Sequence, residues 1–107
     1  MQPEFAAKIE SILQKYDPKQ DLLICGGAPG VDTLAEKMAK RKGFKVQVFR
    51  ADWGRYGDSA GPIRNSAMIR EKPDKVYCLP FPTLQKSIGT RDTYSKAVAA
   101  KIPVVVL

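Results

Sequence analysis

At 107 residues the chain is long enough to bury one hydrophobic core and too short for two. Hydrophobic residues make up 44% and charged residues 27%, a balance that excludes a disordered chain. Eighteen Lys and Arg against eleven Asp and Glu leave +7, which favours an anionic partner, and the lack of histidine excludes Ser-His-Asp catalysis, an imidazole base and His-ligated metals.

The elements alternate along the chain. Phe5, Ile9, Ile12, Leu13 and Tyr16 form the apolar stripe of a first helix that starts at Pro3 and stops before Asp17-Pro18. Asp21 to Cys25 is a short apolar run ending in Gly26-Gly27, as expected of a buried strand. Helical spacing returns at Val31, Leu34, Ala35, Met38 and Ala39, and Arg41-Lys42-Gly43 supplies cations and a glycine at that helix's end. Phe44 to Phe49 reads as a second strand, and residues 51–61 as a polar, Gly-rich loop. Pro62 suits the first turn of a third helix. Lys75 to Leu79 is a third strand, Thr90 to Lys101 a fourth helix, and Pro103 to Leu107 a fourth strand. Nothing in residues 1–16 resembles a leader or a membrane span, so a soluble, cytoplasmic protein is expected. Cys25 and Cys78, without a C-x-x-C pair, read as reduced core residues.

Strands alternating with helices imply parallel βαβ units with right-handed crossovers, and unbroken apolar runs imply strands covered on both faces. The expected fold is a single α/β domain over residues 1–107, a Rossmann-like three-layer sandwich with a four-stranded parallel sheet in the order 2-1-3-4. Its switch point falls between the strands ending at Cys25 and Leu79, flanked by the loops Gly26–Gly30 and Pro80–Gly89. Ligands of open α/β sheets bind at such a point.

Three stretches carry candidate chemistry. In GGAPGVDTLAE, residues 26–36, Gly26, Gly27 and Gly30 let the backbone approach a ligand, and the amides opening the next helix offer partial positive charge to a phosphate. A tight β–α connection without a ligand would read the same way. Asp32 suits the helix dipole and is included among the ligand-binding candidates. In SIGTRDTYSKA, residues 87–97, Ser87, Gly89 and Thr90 open another helix after a strand and a loop. In ADWGRYGDSAGPIRN, residues 51–65, Trp53 and Tyr56 offer faces for a base, and Arg64 and Asn65 offer donors for phosphate. Arg64 near a helix start opposes the dipole, which is understandable if an anion sits beside it.

Together these stretches resemble the SLOG superfamily, in particular its small cpYpsA-related, YspA-like branch of bacteria and phages, over about Asp21 to Val105. The resemblance implies a Rossmann-like fold that binds nucleotides or nucleotide-derived signals on its glycine loops. Such proteins usually begin with a strand and a first glycine-containing loop, so this chain is expected to lack that strand. A more distant similarity joins it to LONELY GUY phosphoribohydrolases and to DNA-processing protein A. Arg64-Asn65-Ser66-Ala67-Met68 matches the hydrolases' Arg-Lys-x-x-Met stretch. Gln85 to Thr93 matches their Pro-Gly-Gly-x-Gly-Thr-x-x-Glu loop, with Gly89-Thr90 kept and Thr93 where the catalytic Glu belongs.

The leading expectation is a nucleotide-binding protein that senses or sequesters a phosphate-bearing or NAD-derived signal, with no cofactor and no metal. One alternative is a nucleotide N-glycosidase using Arg64 with Asp92 or Asp32. Another is a single-stranded nucleic-acid-binding module. Open sheet edges also lead us to expect a homodimer.

Overall fold

The structure, a computed structural model, describes residues 3–80 and 87–107. It comprises two compact units, residues 1–50 and residues 51–107.

The first unit holds helix α1 (Pro3–Leu13), strand β1 (Leu22–Cys25), helix α2 (Val31–Arg41) and strand β2 (Lys45–Val48). β1 and β2 pair in parallel, with Leu22 opposite Lys45 and Cys25 opposite Val48. Helix α2 packs on both strands and α1 packs on α2. Phe5, Ile9 and Leu13 of the expected stripe are buried, together with Cys25, Ala39 and Phe44. The end of α2 shows how local chemistry sets the path. Phe44 N donates to Ala39 O (3.0 Å) and Gly43 N to Lys40 O (3.0 Å), a Schellman turn that satisfies the last carbonyls. That turn also buries Phe44 beside Ala39.

The second unit holds a one-turn helix α3 (Trp53–Tyr56), a 3₁₀ turn (Gly57–Ser59), helix α4 (Ala60–Arg70), strand β3 (Val76–Cys78), helix α5 (Ile88–Ala99) and strand β4 (Val104–Val106). β3 and β4 are again parallel, with Val76 opposite Val104. Helix α5 packs on both strands and on α4. Helix α3 lies inside the stretch expected to be loop. Asp52 supports it as N-cap, its Oδ1 accepting Arg55 N at 3.1 Å.

Each unit thus contains one βαβ crossover, β1–α2–β2 and β3–α5–β4. The expected order 2-1-3-4 includes both pairings, β2–β1 and β3–β4. A β1–β3 ladder is not among the strand pairs of the described residues, which form two two-stranded sheets. Segment α3–α4, between the two crossovers, adds helices and no strand. Leu22 at the start of β1 is 51% exposed and Val106 at the end of β4 45%, while Cys25 and Cys78 are buried. Among the described residues no helix is long and apolar enough to cross a membrane.

Helix α5 ends in the same turn as α2, with Lys101 N on Val98 O and Ile102 N on Ala97 O, yet Lys101 occupies the left-handed position (φ 60°). Lys101→Gly relieves a Cβ penalty there and is expected to raise stability by about 0.5–1 kcal/mol, read as a higher denaturation midpoint. The buried thiols predict a pH effect. Burial pushes Cys78 above the ordinary 9.0, and at Cys25 the charge of Asp32 adds to burial. The folded chain therefore keeps both thiol protons to higher pH than the unfolded chain. Their contribution is complete below about pH 9 and is lost as pH rises through the folded values. Denaturation series between about pH 7 and 11 should show stability falling at the alkaline end, less steeply in Cys25→Ala and Cys78→Ala.

Candidate functional site

The glycine loop after β1 carries its own anion. Asp32, in the first turn of α2, reaches back so that its Oδ2 accepts Gly26 N at 3.1 Å and Ala28 N at 3.2 Å. Thr33 Oγ1 closes the other side by donating to Ala28 O at 3.1 Å. The turn needs Gly27 and Gly30, with φ of 68° and 89°, because L side chains rarely adopt that region. At Gly27 the space is closed too. A Cβ there would lie 2.8 Å from both Val48 Cγ1 and Arg50 Nη1. Arg50 also pairs with Glu36 at 3.9 Å, and Glu36 with Lys40 at 2.7 Å. The Lys40 hydrogen bond holds the Glu36 carboxyl below its ordinary value. Two amides of the loop are therefore occupied by a carboxylate of the same chain.

The second unit gathers more of the expected residues. Asn65, on α4, is 3% exposed, and its amide is bonded in three directions. Its Oδ1 accepts Arg64 Nε at 2.7 Å. Its Nδ2 donates to Gly89 O at 3.3 Å and to Asp92 Oδ2 at 3.1 Å, both in the first turns of α5. Lys96, one turn further along α5, donates to the same Asp92 oxygen at 2.6 Å and to Pro62 O at 2.8 Å. Arg64, Asn65, Gly89 and Asp92 thus stand together, with Ser87 and Thr90 beside them in sequence at the opening of α5. Sequence reasoning missed Lys96, although its spacing of four from Asp92 is an ordinary helical ion pair.

Three details alter the expected roles. Helix α4 begins at Ala60, so Arg64 lies on its second turn, where the opposing dipole has largely fallen off. Thr93 Oγ1 donates to Gly89 O at 3.3 Å, bonding back to its own helix. Asp92 is ion-paired with Lys96 and bonded to Asn65. Gln85 and Lys86, which open the loop compared with the hydrolase motif, lie outside the described residues.

Trp53 and Tyr56 are exposed on α3, at 60% and 41%. The Arg55 guanidinium lies 5.1 Å from the Tyr56 ring centre. Trp53 rests on the first turn of α4, where a Cβ at Gly61 would meet Trp53 Cη2 at 3.4 Å. A shallow groove of about 360 Å³ opens between α4 and α5 toward their C-terminal ends, lined by Ser66, Ile69, Lys96, Ala99 and Ala100.

Parallel βαβ units, a glycine turn closed by Asp32 and a polar cluster at the opening of a helix define a small α/β protein. The chain belongs to the YspA, cpYpsA-related SLOG family, whose model matches residues 6–56. It is 40% identical to the Gene 61 protein of Mycobacterium phage D29 over 89 residues, covering 78% of this chain and 69% of the relative. No solved structure matches it. The family match takes in the whole glycine loop and reaches α3, and membership points to a nucleotide-related function.

Two substitutions test the account of the glycine loop. Asp32→Ala leaves the Gly26 and Ala28 amides without their carboxylate and is expected to cost about 2 kcal/mol. Gly27→Ala combines a left-handed backbone with a clash against Val48 and is expected to cost about 1–3 kcal/mol. Urea denaturation reads both. Wild-type midpoints in either variant would contradict the account.

Proposed function

We propose that the protein binds a phosphate-bearing nucleotide or nucleotide-derived signal in its second unit and senses or sequesters it. The observation that carries this reading is the Asn65 amide that joins Arg64 to the first turn of α5. It fixes a guanidinium next to the opening of a helix, where phosphate oxygens are favoured by both the cation and the dipole. In this reading Arg64, Ser87, Gly89 and Thr90 take the phosphate, and Trp53 or Tyr56 takes the base or ribose. Gly26, Gly27, Gly30 and Asp32 form the turn of the first unit, whose amide pair is already answered by Asp32. The family supports the nucleotide class of the ligand.

The proposal includes no bond cleavage. An N-glycosidase needs a carboxylate to stabilise an oxocarbenium-like centre or to activate water, and Asp92 is engaged by Lys96 and Asn65. The proposal also treats residues 1–107 as one cytoplasmic SLOG-like domain that acts as a homodimer. Each described sheet has two strands, so pairing or cover from a second copy would protect unpaired edges.

Trp53 is the sole tryptophan, so its fluorescence reports directly on the site. Titration with AMP, ADP-ribose, NAD and cyclic nucleotides is expected to give a saturable change with at least one of them. Arg64→Ala should weaken that ligand about tenfold or more, a loss of about 1.4 kcal/mol. Absence of any response up to millimolar ligand, by fluorescence and by calorimetry, would overturn the reading.

A further inference from the structure

Asn65 is the buried polar side chain of the described core, and its position is unusual for a ligand contact. A carboxamide has two N–H donors and one carbonyl acceptor. Both kinds of group are used within the protein. Nδ2 faces two oxygens, Gly89 O and Asp92 Oδ2, and Oδ1 faces the Arg64 N–H. Turning the amide over would set its oxygen against a carbonyl and a carboxylate, so the network admits one orientation.

We infer that Asn65 is a positioning residue that sets the plane of the Arg64 guanidinium and locks it in register with the first turn of α5. The inference rests on the nucleotide reading above and goes beyond it by removing Asn65 from the set of ligand contacts. Its physical basis is that a guanidinium is a rigid planar fork. Holding Nε fixes that plane, and the same amide fixes Gly89, so cation and helix opening move as one body. Asp92 completes the lock. Lys96 balances its charge and also ties α5 to Pro62 in the first part of α4, so the two helices are joined at two points.

The alternative is that Asn65 only stabilises the α4–α5 packing, and a double-mutant cycle separates the two roles. Nucleotide affinity is read by Trp53 fluorescence in wild type, Asn65→Ala, Arg64→Ala and the double variant, well below their unfolding temperatures. Asn65→Ala is expected to weaken binding about tenfold, and to have less than a twofold further effect once Arg64 is already Ala. Two losses that multiply would overturn the inference, since Asn65 would then act independently of Arg64.

A second measurement needs no variant and tests the Asn65–Arg64 hydrogen bond on which the inference depends, even if Asn65→Ala does not fold. In a ¹⁵N spectrum of wild type, the Arg64 Nε–H signal should exchange with water at least tenfold more slowly than that of Arg55. Equal exchange rates would overturn the inference. Failure of wild type to bind any nucleotide is a distinguishable result: it overturns the nucleotide reading itself, and with it the role given to Asn65.

Discussion

A carboxamide buried at 3% exposure must find partners for all its polar atoms, because an unsatisfied donor or acceptor there costs about 1–3 kcal/mol. At Asn65 this requirement organises the second unit. It draws the Arg64 side chain to the oxygen of the amide and the first turns of α5 to its nitrogen. Small residues are buried in both helices, Ala60 in α4 and Ala97 in α5, while Gly61 faces Trp53. The apolar content of this core is modest, so the amide network specifies the register of the two helices more than it adds bulk stability.

The first unit solves a similar problem with a charge. A glycine turn between a strand and a helix exposes backbone amides that call for an acceptor. Asp32 supplies one from within the chain, and Gly27 and Gly30 supply the backbone angles that let it reach. A motif whose composition suggests an external phosphate is here answered by a carboxylate six residues along from Gly26. The two units therefore treat helix openings differently. One is filled by an internal anion, and the other has a guanidinium brought up to it.

That difference bears on the chemistry the protein is suited to. Cations and helix amides recognise phosphate without needing an acid or base of their own, which suits a binder of nucleotides. The phage relative and the family place the chain among SLOG proteins, and the exposed rings of Trp53 and Tyr56 add apolar faces in the same unit as Arg64. Asp92, the carboxylate nearest the constellation, serves to tie the helices together.

What the sequence determined by itself was whatever rests on local periodicity and local chemistry. The stripe Phe5–Ile9–Leu13, the glycine stop at Gly43, four short apolar strands and their helical crossovers were all legible, with ends within a few residues of those observed. So was the family, because the glycine turn and the stretch before α4 are contiguous motifs. Tertiary structure decided the rest. That Asp32 folds back onto Gly26 and Ala28, that Asn65 faces inward and meets Gly89 across 24 positions, and that the described strands form two pairs and not one four-stranded sheet depend on distances between separated segments. Residue spacing says which groups share a helix face, but which polar groups must satisfy one another is settled only when packing removes water from around them.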